Sequence, residues 1–281
     1  MRKTAIFFAV IVLCLTLFGC ASQSITASGS LGWKDFDYDT PLHDLVVGKP
    51  SYPDEPTLPD EPDLPPPLPT PIKDKLLLST TNNLTIRSGA GNNFASVGVI
   101  NSGDMVAFGK LENGWYRTIY KERPAYISAN FVREVSFDKG NSVVESVIEV
   151  GKTLLGHPYI FGAQRYHWGN GVRNASFVAG QYDCSSLVQY MFFIGGGIVM
   201  DVNTRLQVVQ GETVARNDLR RGDVIFFTNA SRYYNSGVER IGHVGVYLGD
   251  NYILHTASDY AVIEPMSDQR WAYYIVAKRF A

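Results

Sequence analysis

The chain has 281 residues, 45% of them hydrophobic, enough for two modest folded units once a targeting segment is set aside. Its 25 basic and 27 acidic side chains give a formal charge of −2, and nothing in that balance points to a nucleic-acid partner. Charge alone therefore excludes little else.

The first residues read as an export signal. Arg2 and Lys3 form a basic start, and Ala5 to Phe18 is an apolar run broken only by Thr16. The run is too short for a membrane span, which needs about 20 apolar residues, and no other segment is apolar for long enough. It ends in Leu17-Phe18-Gly19-Cys20, which resembles the lipobox of bacterial lipoproteins. The resemblance implies a signal peptide over residues 1–19, cleavage before Cys20, lipidation of its sulfur and attachment to a membrane through acyl chains. An ordinary leader or an uncleaved anchor is the alternative. Ala21 is not the aspartate that retains lipoproteins at an inner membrane. The expected place is thus the cell envelope: the outer membrane facing the periplasm in a two-membrane cell, otherwise the outer face of the cell membrane. With Cys14 lost to the leader and Cys20 to the lipid, Cys184 stands alone, either a small buried side chain or a reactive thiol.

Residues 20–75 read as a lipidated N-terminus and tether. Pro50 to Pro71 holds ten of the 14 prolines, interleaved with Asp54, Glu55, Asp60, Glu61 and Asp63. Such a stretch favours polyproline II, stiffened by like-charge repulsion, and at ~3.1 Å per residue reaches roughly 70 Å at most. A docking peptide for an aromatic groove is the competing reading. Trp33, Phe36 and Tyr38 leave open whether residues 21–49 dock on a domain.

From about Leu76 to Val132 short strands and turns follow. Leu84 and Ile86 alternate, Gly89-Ala90-Gly91 and Asn101-Ser102-Gly103 mark turns, Val106-Ala107-Phe108 is a strand, and Asn113-Gly114 marks a hairpin before Trp115-Tyr116. This spacing suggests a small all-β barrel. Leu84 to Gly89, Gly114-Trp115-Tyr116 and Ala125-Tyr126-Ile127 resemble the recurring elements of bacterial SH3 domains. The resemblance implies an SH3-like domain over residues 76–135 that binds cell wall or restricts substrate; a structural spacer is the plainer alternative.

After residue 140 the period becomes helical. Ser142 and Glu145 read as a capping box ahead of Val143, Val144, Val147, Ile148, Val150 and Leu154, and the helix should stop near Gly156. A second helix should start at Cys184, with Asp183 as N-cap and Leu187, Val188, Met191 and Phe192 as its apolar face. Two helices followed by strands make residues 140–281 an α+β domain. A thiol at a helix N-terminus gains from the dipole and the unpaired N–H groups, which favour thiolate, whereas the Asp183 charge opposes it. With Asp183 aimed at backbone N–H groups, the dipole and a histidine are expected to prevail.

Five histidines are available. His43 falls in the tether, and His157 and His167 fall in loops. His243 and His255 flank a Gly249-Asp250-Asn251 turn; a three-residue loop pairs Leu248 with Tyr252, sets His243 opposite Ala257 and His255 opposite Gly245, and puts both rings on one face as diagonal neighbours. A two-residue loop would separate them. One ring can then take the thiol proton while the other orients it. Zinc held by Cys184, His243 and His255 is the weaker reading, since no tight local spacing supports it.

Leu155-Gly156-His157-Pro158-Tyr159-Ile160-Phe161-Gly162, Asp183-Cys184-Ser185, Leu219 to Phe227 and Gly242-His243-Val244-Gly245-Val246-Tyr247 resemble, in order, the motifs of the NlpC-type cell-wall cysteine peptidases, a papain-like family. The resemblance implies hydrolysis of the γ-D-glutamyl–diamino acid bond of peptidoglycan stem peptides, with no metal or organic cofactor. It implies Cys184 as nucleophile, His243 as base, His255 as the orienting residue, and Tyr159, with Asp183 and Ser185 beside the nucleophile, lining the substrate and oxyanion site. Ser186 stands where glycine is usual, Arg221 where proline is common, and the stretches 163–180 and 229–240 are longer than usual and could shape or cover the cleft. Asp223 reads as a turn residue; His167 and Trp168 are weaker candidates for substrate contact. Other readings are a non-catalytic wall-binding lipoprotein and an amidase or acyltransferase on another substrate. The oligomeric state, and diaminopimelate against lysine, stay undecided.

Overall fold

The computed structural model describes residues 76–256 and 259–281, so the leader, Cys20 and the Pro-rich tether lie outside the described residues. Eight short strands come first: β1 (Leu76–Ser79), β2 (Leu84–Arg87), β3 (Ser96–Ile100), β4 (Met105–Ala107), β5 (Leu111–Glu112), β6 (Trp115–Tyr120), β7 (Arg123–Ser128) and β8 (Val132–Val135). Leu84 and Ile86 of β2 are buried while Thr85 and Arg87 are half-exposed, the period-2 pattern of a strand with one wet face. Asn113 and Gly114 both take positive φ (49° and 80°), and Glu112 pairs with Trp115 across them. This two-residue turn matches the twist of its strands.

Five of these strands form one sheet in the order β3-β2-β7-β6-β5, whereas β1, β4 and β8 belong to a larger sheet. The larger sheet continues into the C-terminal half through a pairing of Met105 with Ile263. Leu77, Ile86, Ile100 and Ile127 close a core between the two sheets, and Tyr260 and Val262 from the C-terminal half are part of that same core. Tyr116 packs at its margin, edge-on to Phe108 at 4.8 Å between centroids.

The C-terminal half contributes α1 (Ser142–Thr153), α2 (Cys184–Gly196), α3 (Thr204–Gln207), β9 (Glu212–Val214), β10 (Val224–Phe227), β11 (His243–Gly249), β12 (Tyr252–Thr256), β13 (Ala261–Pro265), α4 (Asp268–Ala272) and β14 (Tyr274–Arg279). The large sheet is ordered β8-β1-β4-β13-β12-β11-β10-β14-β9, with antiparallel pairing throughout. The two longer helices, α1 and α2, share one apolar core with it, built from residues such as Ile148, Leu187, Met191, Val244, Leu254 and Ile263. This is the α+β architecture expected of the region.

The cap of α1 differs from the expected capping box. Asn141, with extended backbone, is the N-cap and accepts from the Val144 N–H at 2.9 Å; Ser142 is already helical. Glu145 instead accepts from the Gly140 N–H and forms a two-pronged ion pair with Arg221, at 2.6 and 3.1 Å. Arg221 also donates to the Leu248 carbonyl at 3.0 Å. Arg221 thus ties α1 to the β11–β12 turn. Among the described residues no helix is long and apolar enough to cross a membrane.

Gly156 marks where the two halves meet. Its φ is +86°, a Cβ there would fall 2.1 Å from the Ile119 carbonyl oxygen, and its own carbonyl accepts from Lys121 N–H at 2.6 Å. Both the backbone sign and the space demand glycine. Gly156→Ala should therefore destabilise the protein by about 2 kcal/mol or more, read as a lower urea midpoint with an unchanged slope.

Candidate active site

The site begins at a helix start. Asp183 is the N-cap of α2, accepting from the Ser186 N–H at 2.9 Å, and the Ser186 hydroxyl accepts in return from the Asp183 N–H at 2.9 Å. A glycine at 186 could not close this box, so Ser186 stiffens the turn that carries Cys184. The Asp183 carboxylate also receives the Ser185 hydroxyl at 3.0 Å and an ion pair from Arg165 at 2.8 Å. Arg165 is itself fixed by the carbonyls of Val202 and Ala163 and by the Ser185 hydroxyl. Arg165 was not singled out from the sequence, because it lies 18 residues before Asp183 in an irregular stretch.

The second component is a hairpin. Val246 pairs with Leu254 and Tyr247 with Ile253, the register that sets His255 opposite Gly245. The turn differs from the expected three-residue loop: Gly249 pairs with Tyr252 around Asp250 and Asn251, whose φ values are 49° and 64°. Two positive-φ residues make the tight turn that suits twisted strands. A one-residue bulge between Tyr247 and Gly249 then restores the register that a two-residue loop alone would have shifted. Ala257, the expected partner of His243, lies outside the described residues. His243 Nε2 and His255 Nδ1 lie 2.7 Å apart.

The line continues beyond the residues expected from the sequence. His255 Nε2 is 3.1 Å from the Glu264 carboxylate on β13, too bent for a well-formed hydrogen bond and so chiefly an electrostatic contact. Glu264 is ion-paired with Arg270 of α4. His255 is wholly buried, and Cys184 is only 9% exposed.

Burial governs the charges. It pushes the Cys184 thiol up to about 12, helped by the Asp183 carboxylate; the N–H groups of Val244 and Ser185 and the Arg165 cation pull the other way without prevailing. The Val244 N–H that faces the sulfur belongs to the residue after His243 in β11. The expectation that dipole and histidine would prevail is thus overturned for the resting site. A helix end carries about half an elementary charge, too little against burial together with the Asp183 carboxylate at the N-cap. Burial also lowers His243 well below the ordinary histidine value, followed by the charges of His255 and Arg270, and lowers His255. Burial opposes ionisation of Glu264, but His255 and Arg270 outweigh it and hold the carboxyl at about 2. Resting thiol and imidazoles are neutral; Glu264 is charged.

Tyr159 is placed near this centre: burial raises its phenol, and the nearby Cys184 and Asp183 raise it further. Its N–H donates to the Asp259 carbonyl at 3.0 Å. His157 and His167 are not at the site. Both are buried, and His167 packs edge-on to Phe193 with its Nδ1 accepting from the Gly169 N–H. The 163–180 stretch folds onto α2 rather than standing as a flap, with Tyr166 and Phe177 against Tyr190, the latter stacked at 5.5 Å. The 229–240 stretch is held by Glu239, which pairs with Arg232 and Arg205, and leaves Tyr234 93% exposed. Asp223 accepts from the Arg220 N–H and pairs with Arg279, a structural turn. Among the described residues no three His, Cys, Asp or Glu side chains are grouped to hold a metal ion.

Residues 156–280 match the model of the NlpC/P60 family. The C-terminal region is an NlpC/P60 family domain. Similar proteins include a Bacillus subtilis gamma-DL-glutamyl hydrolase, 31% identical over 55% of this chain and 33% of the relative. A Bacillus licheniformis peptidoglycan DL-endopeptidase is 27% identical over 51% and 29%. A Bacillus subtilis gamma-D-glutamyl-L-lysine dipeptidyl-peptidase is 30% identical over 52% and 42%. The chain spans less than half the length of each of these relatives. Within the NlpC/P60 domain, Cys184, His243 and His255 all fall inside the matched residues.

The neutral resting thiol has a kinetic signature. Alkylation by iodoacetamide, followed at the Cys184 peptide by mass spectrometry, should rise about tenfold per pH unit from pH ~6 to ~9. A plateau at neutral pH, as a thiol with a pKa of ~3–4 would give, would contradict it.

Proposed function

We propose that the NlpC/P60 domain is a cysteine peptidase that hydrolyses the γ-D-glutamyl–diamino acid bond of peptidoglycan stem peptides. The observation that carries this reading is the placement of Cys184, first residue of α2, with its sulfur facing the N–H of Val244, the residue after His243, whose ring pairs with His255. The names of the three relatives, each a D-glutamyl or peptidoglycan peptidase or hydrolase, support the same substrate class.

In this reading Cys184 and His243 start neutral and the proton moves only as substrate is attacked. His243 takes the thiol proton while the sulfur bonds to the γ-glutamyl carbonyl carbon, whose oxygen takes the negative charge. The Cys184 N–H belongs to the first-turn groups that have no carbonyl partner inside the helix, and it faces that oxygen together with Tyr159. Tyr159 keeps its hydroxyl proton because burial and the neighbouring Asp183 and Cys184 raise its pKa, so it can donate. His243 next protonates the leaving amine as the carbon–nitrogen bond breaks. Water, deprotonated by His243, then cleaves the thioester and restores the thiol. Asp183 and Ser185 hold the helix start rather than exchange protons.

The wider organisation fits a wall enzyme. Lipid on Cys20 attaches the protein at the cell envelope, the Pro-rich tether lifts the folded part from the membrane, and the strands of residues 76–135 act as an SH3-like accessory unit. The test is digestion of purified stem peptide with mass spectrometry of the products. Wild type should release fragments cut between glutamate and the diamino acid, and Cys184→Ala should lower the rate by about 10³-fold or more. Equal product from Cys184→Ala would sink the proposal.

A further inference from the structure

The polar line that starts at His243 does not stop at His255. His255 pairs with Val262 across β12 and β13, so Glu264 is its diagonal neighbour on the same face. The same diagonal step relates His243 to His255 one strand earlier. Three strands therefore carry one side chain each into a single row. At its end the Glu264 carboxylate has His255 Nε2 on one side, at 3.1 Å, and the Arg270 guanidinium on the other. Arg270 is set by α4, whose N-cap Ser267 accepts from the Arg270 N–H, and it lies over the Phe227 ring.

We infer that Glu264, held by Arg270, is a positioning residue that fixes the protonated nitrogen of His255 and thereby leaves Nδ1 of His243 as the proton-accepting atom. This rests on the peptidase reading above. An ionised carboxylate only accepts hydrogen bonds, and an imidazole lone pair aimed at it would be repelled. His255 Nε2 therefore carries the hydrogen. A neutral imidazole has only one N–H, so His255 Nδ1 is an acceptor, and the 2.7 Å contact is donated by the Nε2–H of His243. That leaves the lone pair of His243 on Nδ1, the one nitrogen not spent on His255. Reversing His255 would reverse both rings and put a hydrogen where the thiol proton has to go.

The two ends of the pair act with opposite sign. Glu264 raises the basicity of His255, while the Arg270 cation lowers that of both histidines. The other charged groups near the row are Asp183 at the N-cap of α2, which faces the thiol, and Asp104 just before β4. Asp104 is raised to about 6 by burial, opposed by hydrogen bonds from Asn101 and reinforced by the Glu264 charge. Arg270 keeps Glu264 ionised in this crowded setting and keeps the imidazoles from being protonated before substrate arrives.

The experiment has two arms on the full-length protein. The first is nitrogen NMR of ¹⁵N-histidine-labelled wild type, which reads tautomers without turnover. The hydrogen of His255 is expected on Nε2 and that of His243 on Nε2; hydrogen on His255 Nδ1 overturns the inference whatever the activity. The second is the pH dependence of kcat and KM on stem peptide for Glu264→Gln, Glu264→Asp and Arg270→Gln. Glu264→Gln should lower kcat by roughly 10–100-fold with little change in KM, and move the acid limb to lower pH. Glu264→Asp should recover part of that loss, and Arg270→Gln should move the acid limb to higher pH. Active wild type with unchanged kcat and acid limb in Glu264→Gln overturns the inference alone. Wild type with the expected tautomers and no turnover of any stem peptide overturns the peptidase reading instead.

Discussion

The site depends on cross-strand register. A shift of one residue between β11 and β12 would send His243 and His255 to opposite faces, because side chains alternate with a period of two. The chain reaches the productive register by two compensating devices, a tight turn at Asp250 and Asn251 and a bulge beside it. Arg221 braces the turn by bonding the Leu248 carbonyl while gripping Glu145 of α1. Arg221 therefore contributes to holding the hairpin against the helix layer.

The electrostatics run against the simplest view of a helix-borne thiol. The end of α2 favours a thiolate, yet burial and the neighbouring Asp183 carboxylate outweigh it. Asp183 is needed there for a different reason: it closes the cap with Ser186 and anchors Arg165, and so fixes where the sulfur stands. Position is secured at the expense of thiolate population, and activation is left to the histidine row. Arg165 and the aromatic packing of Tyr166 and Phe177 show what the 163–180 stretch does, which is to buttress α2 from outside.

The first eight strands are not simply strung before the domain. β4 pairs with β13, Tyr260 and Val262 enter their core, and Asp259 accepts from the Tyr120 hydroxyl and pairs with Lys121. β13 also carries Glu264. An otherwise open edge beside the histidine row is thus covered by a strand from the N-terminal half, which removes unpaired backbone groups there.

Much of this was written in local sequence. Strand alternation at Leu84 and Ile86, the Asn113-Gly114 turn and the helix start at Cys184 follow from periods and caps that span only a few residues. His243 and His255 do share a face, but through a two-residue turn and a bulge rather than the expected three-residue loop. Tertiary structure alone decided the rest. The α1 cap is Asn141 rather than Ser142, and Glu145 serves Gly140 and Arg221 instead of closing a box. Glu264 and Arg270 were invisible because the β12–β13 connection, unlike the hairpin before it, carries no turn signature that sets register. The ionisation of Cys184 was misjudged for the same kind of reason: a dipole can be read from a helix start, but burial depends on everything that packs around it.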